Sequence, residues 1–399
     1  MNDIKLESWP TVMIAILVLF LGRELNKRIK FLPRYNIPEP VSSGLIVSLL
    51  VALYYIFTGH TISFDLFFRD VLIVVFFTTI GLTSSLAELL RGGKPLIILL
   101  VLSIILIFIQ NALGISLANV LGIDRNIGLL GGSISLTGGL GTSIAWGKIL
   151  ATEHGTTNAM EIGIACATIG LVMGGLVGGP IAGYLIKKNN LEPAGDHHQH
   201  VDVSFGEEKP ISEGCFLFTV LIIGVAVALG GYMNQLLQSL NFRLPAYVTA
   251  LFSGILLTNT IPVIFKNVDW PTRHASLTLI SDLSLGLFLS ISLMSLQLWN
   301  LVSLAAPIML IMAAQLVAVV IFIFIAVFPA LKSNYNAAVI CAGFAGFTLG
   351  ATPNAIANMN AVTGKFGPAP YAFIIVPLVG GFFIDLVNAI VIELFLRFT

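Results

Sequence analysis

The stretch "GFTLGATPNAIANM", residues 346 to 359, sets hydroxyl and amide side chains among glycines, between apolar runs long enough to cross a membrane. A second stretch, "GLLGGSISLTGGLGTSIAWGKIL" at 128 to 150, has the same make-up. Glycines leave backbone groups uncovered; uncovered N–H groups hold anions, and carbonyls and hydroxyls hold cations. The candidate substrate-binding residues are therefore Thr137, Gly138, Gly139, Gly141, Thr142 and Ser143 in the one stretch and Thr348, Gly350, Thr352 and Asn354 in the other. Asp385, in "GGFFIDLVNAIVIELF", falls mid-span with no Lys or Arg within a turn, and Asn388 follows one turn later on the same face. An intramembrane carboxylate without a basic partner usually serves a cation, so Asp385, Asn388, Asn358 and Ser135 are the candidate sodium ligands. For Asp385 the cation is sodium or a proton, and a structural hydrogen bond is the alternative. No other metal is expected.

The elements that position these residues follow from composition. The chain has 399 residues, 57% of them hydrophobic and only 10% charged, with 38 glycines and a mean hydropathy of +0.97. Such a chain cannot cover itself with a water-facing surface, so it is an integral membrane protein of the lipid bilayer. Apolar runs of about 20 residues, the length needed to span hydrocarbon, predict helices rather than the short alternating segments of a β-barrel. Net charge is zero and no Lys/Arg block forms a phosphate-binding stripe, which speaks against nucleic acid. The cysteines, Cys166, Cys215 and Cys341, are odd in number and fall in hydrophobic segments, so no disulfide framework is expected. The first ten residues carry more acid than base ahead of the first apolar run, unlike a cleaved signal peptide.

Ten spans are predicted, at 9–22, 38–57, 70–90, 95–121, 160–186, 214–240, 245–260, 277–298, 307–329 and 370–396. They divide into a first repeat over 1–186, a hydrophilic linker over 187–213 and a second repeat over 214–399. The linker histidines His197, His198 and His200 are read as solvated rather than as a metal site. Asp70 and Asp282 open corresponding spans, as do Pro95 and Pro307, each pair 212 residues apart. Gly141 and Gly350 are 209 apart, and Gly174-Gly175 and Gly380-Gly381 are 206 apart. A nearly constant offset marks an internal duplication, and repeats with an odd number of spans lie inverted to one another.

The two glycine-rich stretches either cross the bilayer or dip in and return, and cytoplasmic loops hold the excess of positive charge. With both stretches re-entrant (128–150 and 336–360) and both termini outside, fourteen of the twenty Lys and Arg residues are cytoplasmic, the linker included; with both spanning, the count is ten against ten. The re-entrant arrangement is the expectation. Irregular backbone at membrane depth survives only inside protein or along a water-filled cavity, which points to transport. The hydroxyls and Asn residues beside the glycines distinguish these stretches from Gly174, Gly175, Gly178 and Gly179, which are read as helix packing. Gln110 and Asn111, mid-span, are open between interhelical hydrogen bonding and substrate contact. Asp70 and Asp282 are read as N-caps, Glu39 as a helix entrance, Pro353 after Thr352 as a helix start, and Glu393 with Arg397 as a surface pair.

No Lys or Arg lies deep in a span, so an anionic substrate must be held by amides, hydroxyls and bound cations, which favours cation-coupled uptake over anion exchange. An ion channel, a proton-coupled anion transporter of the same fold and, less favoured, a membrane-embedded enzyme are the rivals. The enzyme lacks an H-E-x-x-H motif or a Ser/His/Asp set within the spans.

The strings "YNIPEPVSSGL" at 35–45, "FFTTIGL" at 76–82, "GGLGT" at 138–142, "GFTLGATPNAIANM" at 346–359, "FGPAP" at 366–370 and "FFIDLVNA" at 382–389 run from end to end of the chain. In them the chain resembles the bacterial sodium/glutamate symporter family. The resemblance implies sodium-driven uptake of L-glutamate across the bacterial inner membrane by a homodimer of chains with two inverted five-helix repeats. It also implies an elevator, in which a transport domain carrying the hairpins slides against a scaffold. Glutamate-transporting relatives are expected to read GGHGT where this chain has Leu140, and to carry a histidine near Phe344. Those departures bear on which dicarboxylic amino acid is carried and leave the sodium-coupled fold in place.

Overall fold

The computed structural model describes residues 4–29, 32, 37–86, 93–193, 211–240, 244–265, 270–299 and 304–397. His197, His198 and His200, the middle of the linker and residues 87–90 of the expected third span lie outside these. In chain order the elements are β1 (Ile4–Leu6), α1 (Ser8–Arg28), α2 (Glu39–Thr58), β2 (Ile62–Phe64), α3 (Phe67–Leu82) and α4 (Gly93–Leu121). Then come α5 (Arg125–Leu129), a π turn (Leu130–Ile134), α6 (Gly139–Glu153), α7 (Ala159–Lys188), α8 (Glu213–Ser239), α9 (Ala246–Ile264) and α10 (Ala275–Met294). The last are α11 (Ala305–Ala330), α12 (Tyr335–Leu349), α13 (Thr352–Phe366) and α14 (Pro370–Leu396). Among the described residues nine helices are long and apolar enough to cross a membrane: α1, α2, α4, α7, α8, α9, α10, α11 and α14. The protein is multi-pass.

The remaining expected span, 70–90, is a helix only as far as Leu82, about 24 Å long. Its ending has a local cause. Thr258 of α9 donates to the Leu82 carbonyl at 2.9 Å, and Asn259 donates to the Ser84 carbonyl at 2.9 Å while accepting from the Leu86 N–H at 2.8 Å. Side chains of α9 thus supply the partners that another helical turn would have made. The two aspartates are not caps. Leu66 holds the cap position of α3 and Asp70 accepts from Arg69 at 2.7 Å, while Asp282 lies two turns inside α10.

The chain forms two compact units. Unit 1 takes residues 1–33, 37–87 and 204–300, and so holds α1, α2, α3, α8, α9 and α10. Ala15 and Val18 of α1 pack with Ile291 and Met294 of α10, and Leu82 packs with Ile223 and Leu277. The helices α3 and α9 cross closely: a methyl group at Gly254 would lie 2.9 Å from the Thr78 carbonyl oxygen. Glu39 opens α2 and pairs with Arg23 at 3.2 Å.

Unit 2 takes residues 34–36, 88–203 and 301–399, and so holds α4 to α7 and α11 to α14. Within it α7 packs against α6, α12 and α13, so one long helix supports both glycine-rich stretches. Each unit draws helices from both halves of the sequence. Glu393 is buried with its partner Arg397 at 3.4 Å, so only the arginine end of that pair faces outward.

Candidate functional site

In the first stretch the helix started by Arg125 breaks at Gly132, whose ψ of −137° leaves the helical range, and restarts at Gly139 as a 15-residue helix. Gly139 has φ +68°, a left-handed conformation that glycine adopts without a Cβ penalty. The second stretch is a pair of packed 15-residue helices, α12 and α13, joined only by Gly350 and Ala351. Gly346 lets them approach, since a methyl group there would meet Ala355 Cα at 2.5 Å. Thr352 and Pro353 start α13 as the sequence suggests, proline losing no hydrogen bond in a first turn.

The tips meet within unit 2. A methyl group at Gly139 would lie 3.2 Å from the Gly350 carbonyl oxygen. Gln110 of α4 bridges the two: its carboxamide oxygen accepts from the Thr137 hydroxyl at 2.7 Å and its N–H donates to the Thr348 carbonyl at 2.9 Å. Gln315 of α11 donates to the Gln110 carbonyl at 2.7 Å. All three of Gln110, Gln315 and Thr348 are buried. Gln110 is thus interhelical in its bonding, between the two possibilities the sequence leaves open.

Neither α6 nor α13 has a side-chain hydrogen bond at its N-cap, Gly138 and Ala351 respectively. Free N–H groups at a helix start, with the positive end of the helix dipole, suit a carboxylate. Gly138, Gly141 and Thr352 are half-buried at this place, whereas Gly139, Thr142, Ser143, Thr348, Gly350 and Asn354 are buried. The Ser143 hydroxyl donates to the Gly139 carbonyl at 2.7 Å and lies 2.9 Å from the Ser135 hydroxyl. Asn354 donates to the Leu171 carbonyl of α7 at 2.7 Å. Thr352 lies beside Gly381, where a methyl group would be 3.7 Å from its hydroxyl.

The candidate sodium residues fall in three places in unit 2. Asp385 is half-buried on α14 directly after a π turn, Val379–Phe383, and among the described residues no ion pair reaches it. A π turn shifts the facing of a helix, which is a common device at functional sites. Asn388, one turn on, donates to the Ser133 carbonyl at 3.1 Å. Ser135 donates to the Gly163 carbonyl at 2.9 Å. Asn358 donates to the carbonyls of Gly174 at 2.8 Å and Ala342 at 3.3 Å, on the far arm of the second hairpin. Gly178, read as packing, sits under this amide, because a methyl group there would meet the Ala342 oxygen at 2.6 Å and Asn358 Cγ at 2.7 Å.

Leu140 and Phe344, the two departures from the expected pattern, are both buried. Phe344 stacks on Phe322 at 6.2 Å and meets Phe347 edge-on at 5.3 Å, so its position belongs to an aromatic cluster. Gln315 was not among the residues singled out from the sequence, because the 212-residue offset pairs Gln110 with Phe322. A signal was present: Gln315 carries the single polar side chain of α11.

A family model described as sodium/glutamate symporter matches residues 4–368. The chain is 42% identical over 397 residues to a protein of Escherichia coli strain K12 named sodium/glutamate symporter, covering 98% of each. It is 39% identical over 391 residues to the protein of that name from Haemophilus influenzae, covering 97% of this chain and 96% of that one. These relatives are named as transporters, not enzymes. Among solved structures, a sodium proton antiporter from Methanocaldococcus jannaschii aligns over 96% of both chains at 14% identity with a TM-score of 0.41.

Proposed function

The chain belongs to the sodium/glutamate symporter family, and we propose that it couples sodium entry to uptake of L-glutamate or a related dicarboxylic amino acid across the bacterial inner membrane. The observation that carries this reading is the meeting of the two hairpin tips, Gly139 against Gly350, with two helix N-termini lacking side-chain caps beside it. Such amides offer partners to a carboxylate without a basic side chain, and hydroxyls and carbonyls at the same tips offer partners to sodium. The substrate set is Thr137, Gly138, Gly139, Gly141, Thr142, Ser143, Thr348, Gly350, Thr352 and Asn354; the sodium set is Asp385, Asn388, Asn358 and Ser135.

Two features support re-entrant hairpins in inverted repeats. At 15 residues, α6, α12 and α13 are each about 22 Å long, short of the roughly 30 Å of a hydrocarbon core. The repeated order of elements in the two halves agrees with the duplication read from the offsets. With the spans counted as ten, the termini are outside and the linker is cytoplasmic. A cysteine placed near residue 195 that reacted with an impermeant thiol reagent in intact cells would contradict that topology.

For the transport step we assign the moving body to unit 2. Every candidate ligand belongs to it, so it can carry substrate and sodium without dismantling the site. Unit 1 is then the scaffold and the contact of a homodimer, as in an elevator. Purified protein in liposomes tests the function. Saturable glutamate uptake driven by an inward sodium gradient is expected; uncoupled current would mean a channel, and uptake driven only by a proton gradient would mean proton coupling.

A further inference from the structure

The bonds that hold the first hairpin leave several buried polar atoms unpaired, around two short stretches, 110–111 of α4 and 132–133 of the π turn. The Ser133 N–H donates to Asn111 Oδ1 at 3.0 Å, and the Ser133 carbonyl receives Asn388 Nδ2 at 3.1 Å. These bonds fix both amides, because rotating either by half a turn would set donor against donor or acceptor against acceptor. The Gln315 amide is fixed in the same way by its bond to the Gln110 carbonyl at 2.7 Å. What is left over is chemically one-sided. Among the described residues Ser133 Oγ, Asn388 Oδ1 and Gln315 Oε1 have no hydrogen-bond partner, and all three side chains are 0% exposed. The one remaining donor is Asn111 Nδ2.

Buried polar atoms are normally paired, and leaving one unpaired destabilises the fold. Asn388 is bonded to the turn through the Ser133 carbonyl, and Gln315 reaches the neighbouring stretch of α4 through the Gln110 carbonyl; unpaired oxygens so placed, with Asp385 one helical turn ahead of Asn388, make an environment for a hard cation, which takes oxygen ligands. Asn111 Nδ2, as a donor, suits a water that completes the ion's shell. We propose that Ser133 Oγ, Asn388 Oδ1 and Gln315 Oε1 form a sodium site at the π turn of the first hairpin, apart from Asn358, whose amide serves α7 and α12. The site rests on the sodium-coupled reading above and adds Ser133 and Gln315 to it. It also gives Gln315 a reason to be polar in an otherwise apolar helix.

The test is thermal unfolding of the purified full-length chain in sodium chloride against choline chloride, without glutamate. A cation bound to the folded state stabilises it in proportion to the logarithm of its concentration over its dissociation constant. Ser133→Ala removes a hydroxyl that has no partner among the described residues, so stability in choline should be unchanged or slightly higher. The sodium concentration needed for a given rise in melting temperature should increase about tenfold. Gln315→Leu should raise it as well, from a lower starting stability, since the Gln110 carbonyl loses its donor. A wild-type sodium response in Ser133→Ala would overturn the site and leave the turn to a structural water. Sodium-driven uptake by that same variant at the wild-type sodium constant would retain the symporter and reject this site. A wild-type chain with no sodium response in unfolding or in uptake would overturn both.

Discussion

The side-chain N–H of Gln110 donates to the carbonyl oxygen of Thr348 at 2.9 Å, tying a mid-span residue of α4 to the end of the helix that leads into the second hairpin. The same carboxamide accepts from Thr137 of the first hairpin, so one side chain holds both tips. Gln110→Leu leaves the Thr137 hydroxyl and the Thr348 carbonyl buried without their main partner, at about 1–3 kcal/mol each. Glutamate uptake at limiting substrate should fall at least about tenfold and the melting temperature should drop. Thr137→Val, which breaks only one of the two bonds, should show a smaller change in both. Unchanged uptake and melting temperature in Gln110→Leu would remove the bridge from the account.

Gly139 and Gly350 should not tolerate a methyl group. At Gly139 the φ of +68° costs alanine about 1–2 kcal/mol, and the Cβ would crowd the Gly350 carbonyl at 3.2 Å. At Gly350 the obstacle is Asn354 Nδ2 at 2.8 Å and Leu171 Cα at 3.1 Å. Each alanine variant should insert and purify yet lack uptake. Wild-type transport by either would show that the tips have room that the geometry denies.

How much of this was legible in the sequence depends on the kind of signal. The spans were, because hydrocarbon demands long apolar runs, and α4 and α7 begin and end within two residues of expectation. The end of α3 was not, since it depends on Thr258 and Asn259 of α9, far away in the chain. The glycine-rich stretches stood out by composition, but the contact between their tips and the bridge by Gln110 are long-range facts with no local pattern. Gln315 was hidden by the assumption of a constant repeat offset. Asp282 is no cap: the apolar run at 277–298 already carries it inside the span, and α10 starts at Ala275.

Gly178 changes role for the same reason. Spacing alone makes it a packing glycine, for which alanine would mainly lower stability. In the structure its α-carbon faces Asn358, whose amide would have to move to admit a methyl group. Gly178→Ala should therefore lower the melting temperature and also raise the sodium concentration needed for half-maximal uptake. A stability loss with unchanged sodium dependence would return Gly178 to packing and separate Asn358 from the ion.

Asp385→Asn keeps the size of the side chain and removes its charge. Coulomb attraction between a carboxylate and a cation is strong where water is excluded. Sodium dependence of uptake should move to concentrations at least about tenfold higher while the protein folds normally. An unchanged sodium constant would make Asp385 a structural group on α14.

The central claim is that the two glycine-rich hairpins share one ligand, and a double-mutant cycle on Thr142 and Thr352 measures it most directly. Thr142→Val and Thr352→Val preserve shape and remove only a hydroxyl, typically worth about 0.5–1.5 kcal/mol. Each should raise the apparent glutamate or sodium constant severalfold in proteoliposome uptake driven by an inward sodium gradient. The double variant should depart from the sum of the two by about 0.5 kcal/mol or more, as for residues that touch a common partner. Clean additivity with both single effects near zero would contradict the claim and leave the hairpins as two separate structures.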